Sequence, residues 1–244
     1  MSVSIGPLIR KLEQFGDLSN SERQILENLP IDIHRVDADQ DLGRHGLRSL
    51  HCLLLLNGMV CRYRVMQDGQ RQIMSFHFPG DILDLSGLLL GKLDHRIGTL
   101  TPVEVAPIAH TTLRGWIEHH PGLGRRLWQD TLVDAAVFRE CVVNVSRRPA
   151  YARIAHLICE MVARMRAVGL GQDQSPSLPI TAAELADATG LSVVHVNRVL
   201  QEPRTKTLVE SRGKILTVLD WGGLKHAAGF DPDYLHQRAL PAAA

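Results

Sequence analysis

The stretch from Ile180 to Leu200, with the sequence ITAAELADATGLSVVHVNRVL, constrains the fold more than any other part of the chain. Thr181 and Glu184 have the T-x-x-E spacing of a capping box, in which two side chains accept hydrogen bonds from backbone amides at the start of a helix. Gly190 can adopt the left-handed conformation that ends a helix abruptly. The pattern therefore predicts two short helices that meet at a glycine.

The second helix is predicted to begin after Ser192, which is a favourable N-cap residue. Small and apolar residues occupy the fixed positions of a helix-turn-helix, namely Ala186, Gly190, Val196 and Val199. In that motif the second helix enters the major groove of DNA. Its outward positions here are Val193, Val194, Asn197 and Arg198. The alternative is an ordinary pair of antiparallel helices without a DNA contact.

The composition is that of a globular protein with room for two cores. The chain has 244 residues, of which 45% are hydrophobic and 22% are charged. The N-terminus has no long apolar run, and no segment reaches the roughly 18 apolar residues of a membrane helix, so we expect a cytoplasmic protein without membrane contact. The four cysteines lie far apart without a C-x-x-C pair, which favours reduced thiols over disulfides or a zinc site.

The charge is nearly balanced over the whole chain. A net charge of +1 neither favours nor excludes nucleic acid as a partner. Between Leu191 and Lys225, however, there are six basic residues and three acidic ones. This local excess is compatible with phosphate contacts around the helix pair and does not establish them.

The residues after Pro30 have the pattern of a β-domain. Apolar runs and alternating segments are separated by turn signals such as Asn57-Gly58 and Pro79-Gly80-Asp81. Strands are predicted at 50–56, 59–66, 74–78, 99–100 and 103–108. Short strands at this spacing predict a small sandwich or jelly roll. Two short helices are predicted before it, between Pro7 and Leu29.

A long helix is predicted from about Leu123 to Val145, and Arg147-Arg148-Pro149 is predicted to end it as a hinge. Its apolar residues cover more than one side, namely Leu127, Leu132, Ala135, Val137, Phe138, Cys141, Val142 and Val145. Because each apolar side needs a cover, the same helix of a second subunit is the economical partner, which predicts a homodimer. Burial within a single chain is the alternative.

The C-terminal part continues with a helix predicted from Ala150 to Val168 and a loop from Gly169 to Pro179. After the helix pair, Lys206 to Val218 alternates around Arg212-Gly213-Lys214, which predicts a two-stranded wing. Asp220-Trp221 is predicted to begin a last short helix.

Several motifs follow one another in a fixed order over nearly the whole chain. They are the G-x-x-C-x-Y of Gly58–Tyr63, SFHFPGDILDL at Ser75–Leu85, RRPAYARIAH at Arg147–His156, LSVVHVNRVLQ at Leu191–Gln201 and Asp220-Trp221. This order resembles the Crp/Fnr superfamily of bacterial transcription regulators. The resemblance implies an α+β fold with a cyclic-nucleotide-binding-like β-roll or jelly roll at 1–120, a dimerisation helix at 121–146 and a winged helix-turn-helix at 147–244.

The resemblance also implies a homodimer that binds palindromic double-stranded DNA, with half-sites about one helical turn apart and RNA polymerase as a further partner. The family's base-reading positions fall on Val193, Val194, Asn197 and Arg198. Arg198 is the strongest candidate, because an arginine fork can bond both O6 and N7 of guanine. A surface ion pair of Arg198 is the alternative.

Further residues are candidates for phosphate contacts, which position a protein on DNA without reading its sequence. They are Thr181, Ser192, His195, Arg212 and Lys214. For the two hydroxyl residues the alternative is helix capping, and for His195 it is a solvated surface position.

The sensor region departs from the relatives that bind cyclic AMP. Those relatives hold phosphate and ribose with a Gly-Glu-Leu run and an Arg-Ser pair, whereas Asp84-Leu85-Ser86 and Arg96-Ile97-Gly98 stand here. Arg96 is the remaining candidate for an effector phosphate, and an anion pocket needs several convergent donors. We therefore do not expect cyclic AMP, and the effector stays unidentified.

No cofactor, bound metal or enzymatic activity is expected. Oxygen-sensing relatives hold an iron–sulfur cluster through cysteines near the N-terminus, and no cysteine precedes Cys52 here. The twelve histidines lack metal-ligand spacing, and the chain has neither a nucleophile elbow nor a phosphate-binding glycine loop.

Alternatives to an effector-switched regulator remain open. One is a DNA-binding regulator that needs no effector or responds to redox state, for which Cys141 near the dimer seam is the candidate. Cys52, Cys61, Cys141 and Cys159 are otherwise expected to be small buried hydrophobes. A remote alternative is a ligand-binding β-roll whose helical tail contacts other proteins.

The sequence departs from the family directly after the predicted recognition helix. Relatives continue as E-L-R and reach a glycine before the wing, whereas Glu202-Pro203-Arg204 leads to Thr207-Leu208 here. Proline lacks an amide hydrogen and clashes with the preceding turn, which costs about 3 kcal/mol inside a helix. The recognition helix is therefore predicted to stop or kink near Glu202.

Overall fold

The computed structural model describes residues 5–46 and 48–238 of the chain. Its N-terminal half contains seven strands, namely β1 (His34–Val36), β2 (Asp41–Gly43), β3 (His51–Asn57), β4 (Val60–Val65), β5 (Arg71–His77), β6 (Arg96–Thr99) and β7 (Val103–Ala109). Helices flank or interrupt these strands, namely α1 (Gly6–Glu13), α2 (Asn20–Glu27), α3 (Gly87–Leu90) and α4 (His110–His119).

The seven strands form two antiparallel sheets with the orders β1-β7-β3 and β2-β6-β4-β5. Leu55 and Val105 of the first sheet share one apolar cluster with Val60 and Ile97 of the second. The sheets therefore enclose a core between them, and removal of these side chains from water is its main stabilising contribution. The predicted β-roll is confirmed.

The turn between β3 and β4 carries the chain from one sheet to the other. Gly58 lies there with φ +87°, and a Cβ at this position would clash with the backbone of Pro102. Only glycine satisfies both conditions, because other residues are strained at positive φ. The predicted turn at Asn57-Gly58 is confirmed.

The long helix α5 (Pro121–Arg147) has 27 residues, so it is about 40 Å long. One side is buried within the chain through Leu123, Leu127 and Val137. Another side leaves large apolar side chains exposed, namely Trp128, Leu132, Val142 and Val143. The predicted helix with more than one apolar side is confirmed, and none of the described residues covers the second side.

The C-terminal part contains five helices and a small sheet. The helices are α6 (Ala150–Ala167), α7 (Ala182–Thr189), α8 (Val193–Gln201), α9 (Pro203–Lys206) and α10 (Trp221–Ala228), followed by a 3-10 helix at Pro232–Leu235. The sheet has the order β8-β10-β9, with β8 (Ser177–Leu178), β9 (Val209–Arg212) and β10 (Ile215–Val218). The predicted helix-turn-helix and wing are confirmed.

The β-roll and the C-terminal part share one apolar core. Phe76 and Phe78 of the β-roll belong to the same cluster of buried residues as Ile158 of α6 and Leu185 of α7. At the edge of this contact Arg71 Nε lies 2.7 Å from Asp187 Oδ2. Within this chain the helix-turn-helix is therefore packed directly against the sensor sheet.

Two local predictions were wrong, and two further elements were missed. The segment from Gly169 to Pro179 is not all loop, because Ser177 and Leu178 form β8 by pairing with β10. The sixth strand begins at Arg96 rather than at Thr99, so Arg96 lies in a sheet. The strand β2 and the terminal 3-10 helix were not predicted. All four depend on distant pairing or packing rather than on local pattern.

Candidate DNA interface

The helix pair is held by caps that the sequence encodes locally. Thr181 Oγ1 accepts a hydrogen bond from the Glu184 amide (3.2 Å), and Glu184 Oε2 accepts one from the Thr181 amide (2.6 Å). Gly190 ends α7 at φ +66°. Ser192 Oγ then accepts a hydrogen bond from the His195 amide at 3.2 Å and starts α8. The capping alternative for Thr181 and Ser192 is therefore realised.

The helix α8 buries one side and exposes the other. Val196, Val199 and Leu200 are buried in the core of the C-terminal part. The outward side chains Val193, Val194, Asn197 and Arg198 are all exposed, and Val194 keeps 80% of its surface. We call these four residues the recognition face.

Arg198 is free to bind an outside partner. Among the described residues it makes no ion pair or hydrogen bond, so the alternative of a surface ion pair finds no support there. A free guanidinium beside an exposed amide and two apolar side chains can read a base edge in the major groove. His195 is half-buried at the first turn of the helix.

The wing adds a second basic element. Arg212 and Lys214 are exposed around the β9–β10 turn. Arg212 Nη2 lies 2.8 Å from Glu210 Oε1 in an exposed pair, which water screens and which is worth about 0–1 kcal/mol. Such a pair can open to let the arginine reach a phosphate.

The recognition helix ends where the proline requires. The last residue of α8 is Gln201, and Glu202 is extended with φ −61° and ψ 139°. A separate helix, α9, then begins at Pro203. The prediction that the helix stops near Glu202 is confirmed.

Arg153 on α6 is a supporting residue that the sequence did not reveal. Its guanidinium donates to the carbonyl oxygen of Thr189 at 2.9 Å and to that of Arg148 at 3.0 Å. It therefore ties the end of α7 to the start of α6. The RRPAYARIAH stretch contained this arginine, but local spacing did not show which carbonyls it binds.

A cleft of about 370 Å³ lies between the β-roll and α5. Its polar lining comes from Arg62, Arg64, Ser86, Asp94, His95, Asp130, Thr131 and Asp134. Arg62 is buried there, donates to the Leu83 carbonyl oxygen at 2.6 Å and pairs with Asp134 at 2.7 Å. An internal ion pair therefore crosses the cleft from β4 to α5.

The candidate effector residue Arg96 is not among the residues that line this cleft. Its Nη1 lies 3.3 Å from Asp41 Oδ2, and the Tyr63 hydroxyl donates to the same carboxylate at 2.6 Å. Asp84 begins the stretch that stands where relatives have their Gly-Glu-Leu run. It is buried and accepts a hydrogen bond from the Leu53 amide at 2.8 Å. Burial raises the pKa of Asp84. Both residues therefore serve local structure.

All four cysteines are free thiols. Cys52, Cys61 and Cys159 are buried and Cys141 is half-buried. Burial raises the pKa of each thiol, to about 12 for Cys61 and Cys159. Since the thiolate is the reactive form, these positions favour packing over redox chemistry.

Two observations bear on other classes of protein. Within the described residues, no group of three or more histidine, cysteine or carboxylate side chains is arranged to hold a metal ion. None of the described helices is both long and apolar enough to span a membrane.

The chain matches two family models. Residues 33–120 match the family described as Cyclic nucleotide-binding domain, and residues 152–227 match Crp-like helix-turn-helix domain. The two matches cover the β-roll and the helix-turn-helix with its wing. The chain belongs to the Crp/Fnr superfamily. The two matches confirm the resemblance seen in the sequence. The chain is therefore a DNA-binding transcription regulator.

Curated relatives agree with this membership. The nitrogen fixation regulation protein FixK of Bradyrhizobium diazoefficiens is 29% identical over 67% of this chain and 65% of its own length. The transcriptional activator protein FnrA of Stutzerimonas stutzeri is 28% identical over 78% of each chain.

Solved structures agree on the fold. FixK2 from Bradyrhizobium japonicum superimposes with a TM-score of 0.71 at 21% identity, covering 82% of this chain and 98% of its own. The c-di-GMP-responsive regulator CLP from Xanthomonas campestris superimposes with a TM-score of 0.63 at 16% identity, covering 89% and 100%.

Proposed function

We propose that this regulator binds a palindromic operator as a homodimer, through the recognition face of α8 in each subunit. The observation that carries the proposal is the exposed set Val193, Val194, Asn197 and Arg198, in which the Arg198 guanidinium has no ion-pair or hydrogen-bond partner among the residues that the structure describes. Arg198 reads guanine, Asn197 reads adenine, and the valine methyl groups contact thymine methyl groups.

The remaining candidates position the protein on the DNA backbone. Arg212 and Lys214 contact phosphates from the wing, and Thr181, Ser192 and His195 lie at the first turns of α7 and α8. Because the hydroxyls already cap their helices, the amides and helix dipoles at these ends supply much of the phosphate attraction. These contacts set register and do not read sequence.

The dimer contact is proposed to lie along α5. Its exposed apolar side chains are too large and too numerous for a solvated helix, and a second copy of the same helix covers them with two-fold symmetry. The chain is then divided into a sensor domain at 1–120, a dimerisation helix at 121–146 and a DNA-binding domain at 147–244. We further propose that RNA polymerase is a partner of the dimer and that the regulator acts in the cytoplasm.

An effector is proposed to act at the cleft beside α5, and its identity is open. Relatives that bind cyclic AMP hold it with a Gly-Glu-Leu run and an Arg-Ser pair, whereas this chain has Asp84-Leu85-Ser86 and Arg96-Ile97-Gly98 at these positions. This difference supports a ligand other than cyclic AMP. A redox-responsive regulator remains a second candidate only through Cys141, which is the least buried thiol.

The test is footprinting on genomic fragments, with and without cyclic nucleotides. The proposal predicts protected sites with inverted symmetry and no change when cyclic AMP is added. Protection without symmetry would contradict the dimer. Tighter binding with cyclic AMP would contradict the assignment of the sensor.

A further inference from the structure

Charged side chains from four elements meet in a buried junction between the β-roll and the C-terminal part. Lys11 of α1 lies 2.6 Å from Asp81 and 2.9 Å from Asp130 of α5. Arg164 of α6 lies 3.3 Å from the other oxygen of Asp81. Asp81, which follows β5, therefore joins the N-terminal helix to the DNA-binding domain.

The junction continues into the cleft beside α5. Asp134 lies one helical turn after Asp130, and both carboxylates line the cleft as well as the junction cavity. Arg62 pairs with Asp134 at 2.7 Å from the cleft side. The cavity has a volume of about 50 Å³, which is room enough for water beside the Lys11 side chain.

The junction also continues into the DNA-binding domain. Arg164 Nη1 lies 3.9 Å from Glu160 on the same helix, and the Tyr234 hydroxyl donates to Glu160 at 2.7 Å. From α1, Arg10 donates to the carbonyl oxygen of Val168 at 2.5 Å and Gln14 to that of Ala167 at 3.2 Å. The N-terminal helix thus caps the end of α6.

The central ions of this junction are shared, because Lys11 contacts both Asp81 and Asp130 while Asp81 contacts both Lys11 and Arg164. Burial raises the pKa of Asp134, but the positive charges around it, of which Arg62 is the strongest, together outweigh burial and lower that pKa to about 2. Burial and the neighbouring Asp134 raise the pKa of Asp130 despite Lys11. The Lys11 ammonium is attracted by both Asp130 and Asp134, so loss of Arg62 from Asp134 would leave these two carboxylates of α5 competing for it.

We propose that the charged chain Arg62–Asp134–Asp130–Lys11–Asp81–Arg164 couples the cleft to the DNA-binding domain. A ligand that competes for Arg62 or Asp134 redistributes Lys11 between Asp130 and Asp81. This loosens the contacts that α1 makes with the end of α6. The coupling is a property of the free protein and needs no DNA.

The test is amide hydrogen exchange of the full-length protein without DNA, read in peptides covering 163–170 at the end of α6. Arg62→Met is expected to speed exchange there about five-fold or more, although the hydrogen-bond partners of Arg62 are Leu83 and Asp134, which lie outside α6. Arg64→Met is the matched control, since Arg64 lies on the same strand and cleft but is exposed. Equal exchange in both variants would overturn the proposal.

Arg62→Met can also weaken the β-roll itself, which faster exchange in β3 and β7 would reveal. In that event Lys11→Met decides, with the exposed Lys92→Met as control. Faster exchange at 163–170 in Lys11→Met alone supports the coupling, and unchanged exchange overturns it.

Coupling must also act in reverse, because a free energy shared by two sites is reciprocal. Arg164→Met is therefore expected to speed exchange in β4, around Arg62. No change in β4 would overturn the proposal. Since none of these measurements uses DNA, their failure leaves the proposed operator binding untouched, and failure of operator binding leaves the coupling untouched.

Discussion

The recognition face of α8 and the buried junction at Asp81 treat charge in opposite ways. On α8, Arg198 is exposed and unpaired among the described residues. At the junction, Asp81 is 5% exposed and its carboxylate meets Lys11, His77 and Arg164. The first arrangement leaves a charge for an outside partner, and the second pairs its charges with one another inside the chain.

This difference separates two roles for similar side chains. An exposed arginine has little effect on the free energy of unfolding of the free protein, and it contributes free energy only when DNA is bound. Removing a charge from water costs free energy, which its buried partner offsets. Loss of that partner leaves an uncompensated buried charge and destabilises the fold. Substitutions on α8 should therefore change binding and spare stability, whereas substitutions at the junction should lower stability.

The largest effect is expected from Asp81→Ala. Removing this carboxylate leaves Lys11 and Arg164 without their shared partner, which should lower the free energy of unfolding by about 3–5 kcal/mol. Urea unfolding followed by circular dichroism measures it. Asp173→Ala, at an exposed aspartate, is the control and should change little. A loss below about 1 kcal/mol for Asp81→Ala would remove the basis of the comparison.

The next largest effect is expected from acid, which should destabilise the folded protein through its buried histidines. Burial lowers the pKa of both His77 and His156 to about 4 from 6.5. Between these pH values the unfolded chain binds protons that the folded chain refuses, so stability falls as the pH falls, by up to about 3 kcal/mol per histidine.

Unfolding free energies between pH 7 and 4 test this dependence. His156→Gln should flatten the slope between pH 6.5 and 4. The exposed His226→Gln should leave the slope unchanged. If His156→Gln kept the slope of the parent protein, the destabilisation would have to come from other groups.

A smaller effect, on binding alone, is expected from Arg198→Ala. Loss of the guanidinium should weaken operator binding by about 1–3 kcal/mol and relax the preference at one base pair. Arg198→Lys keeps the charge without the planar fork, so it should retain more affinity but lose the same preference. Titration of labelled operators measures both, and unchanged affinity and preference in Arg198→Ala would show that α8 docks differently.

The smallest effect is expected at Cys141. Because its thiol has a raised pKa, the reactive thiolate is scarce at neutral pH. Operator affinity should stay within about two-fold on mild oxidation, in the parent protein and in Cys141→Ser alike. An oxidant-dependent loss that Cys141→Ser abolishes would establish the redox-responsive alternative.

The sequence predicted the DNA-binding part well because its signals are local. Thr181, Gly190 and Ser192 cap helices within three or four residues of themselves. Pro203 stops α8 for a reason that lies in its own backbone. The wing and the two-sided α5 were likewise visible as alternation and periodicity.

The junction was not predictable in the same way. Lys11 and Asp81 lie 70 residues apart in sequence, and Arg164 lies a further 83 residues on. Each looks like a solvated surface charge until the fold brings them together. The two-residue strand β8 and the strand position of Arg96 were missed for the same reason, because they depend on pairing with distant segments.

The most direct test of the central claim is the spacing of the two half-sites. A selected palindromic operator is titrated beside the same operator with five base pairs inserted at its centre. Paired recognition helices on one rigid dimer cannot engage half-sites rotated by half a turn, so the insertion should weaken binding by about 100-fold or more. Equal affinity for the two operators would contradict binding through a pair of α8 helices.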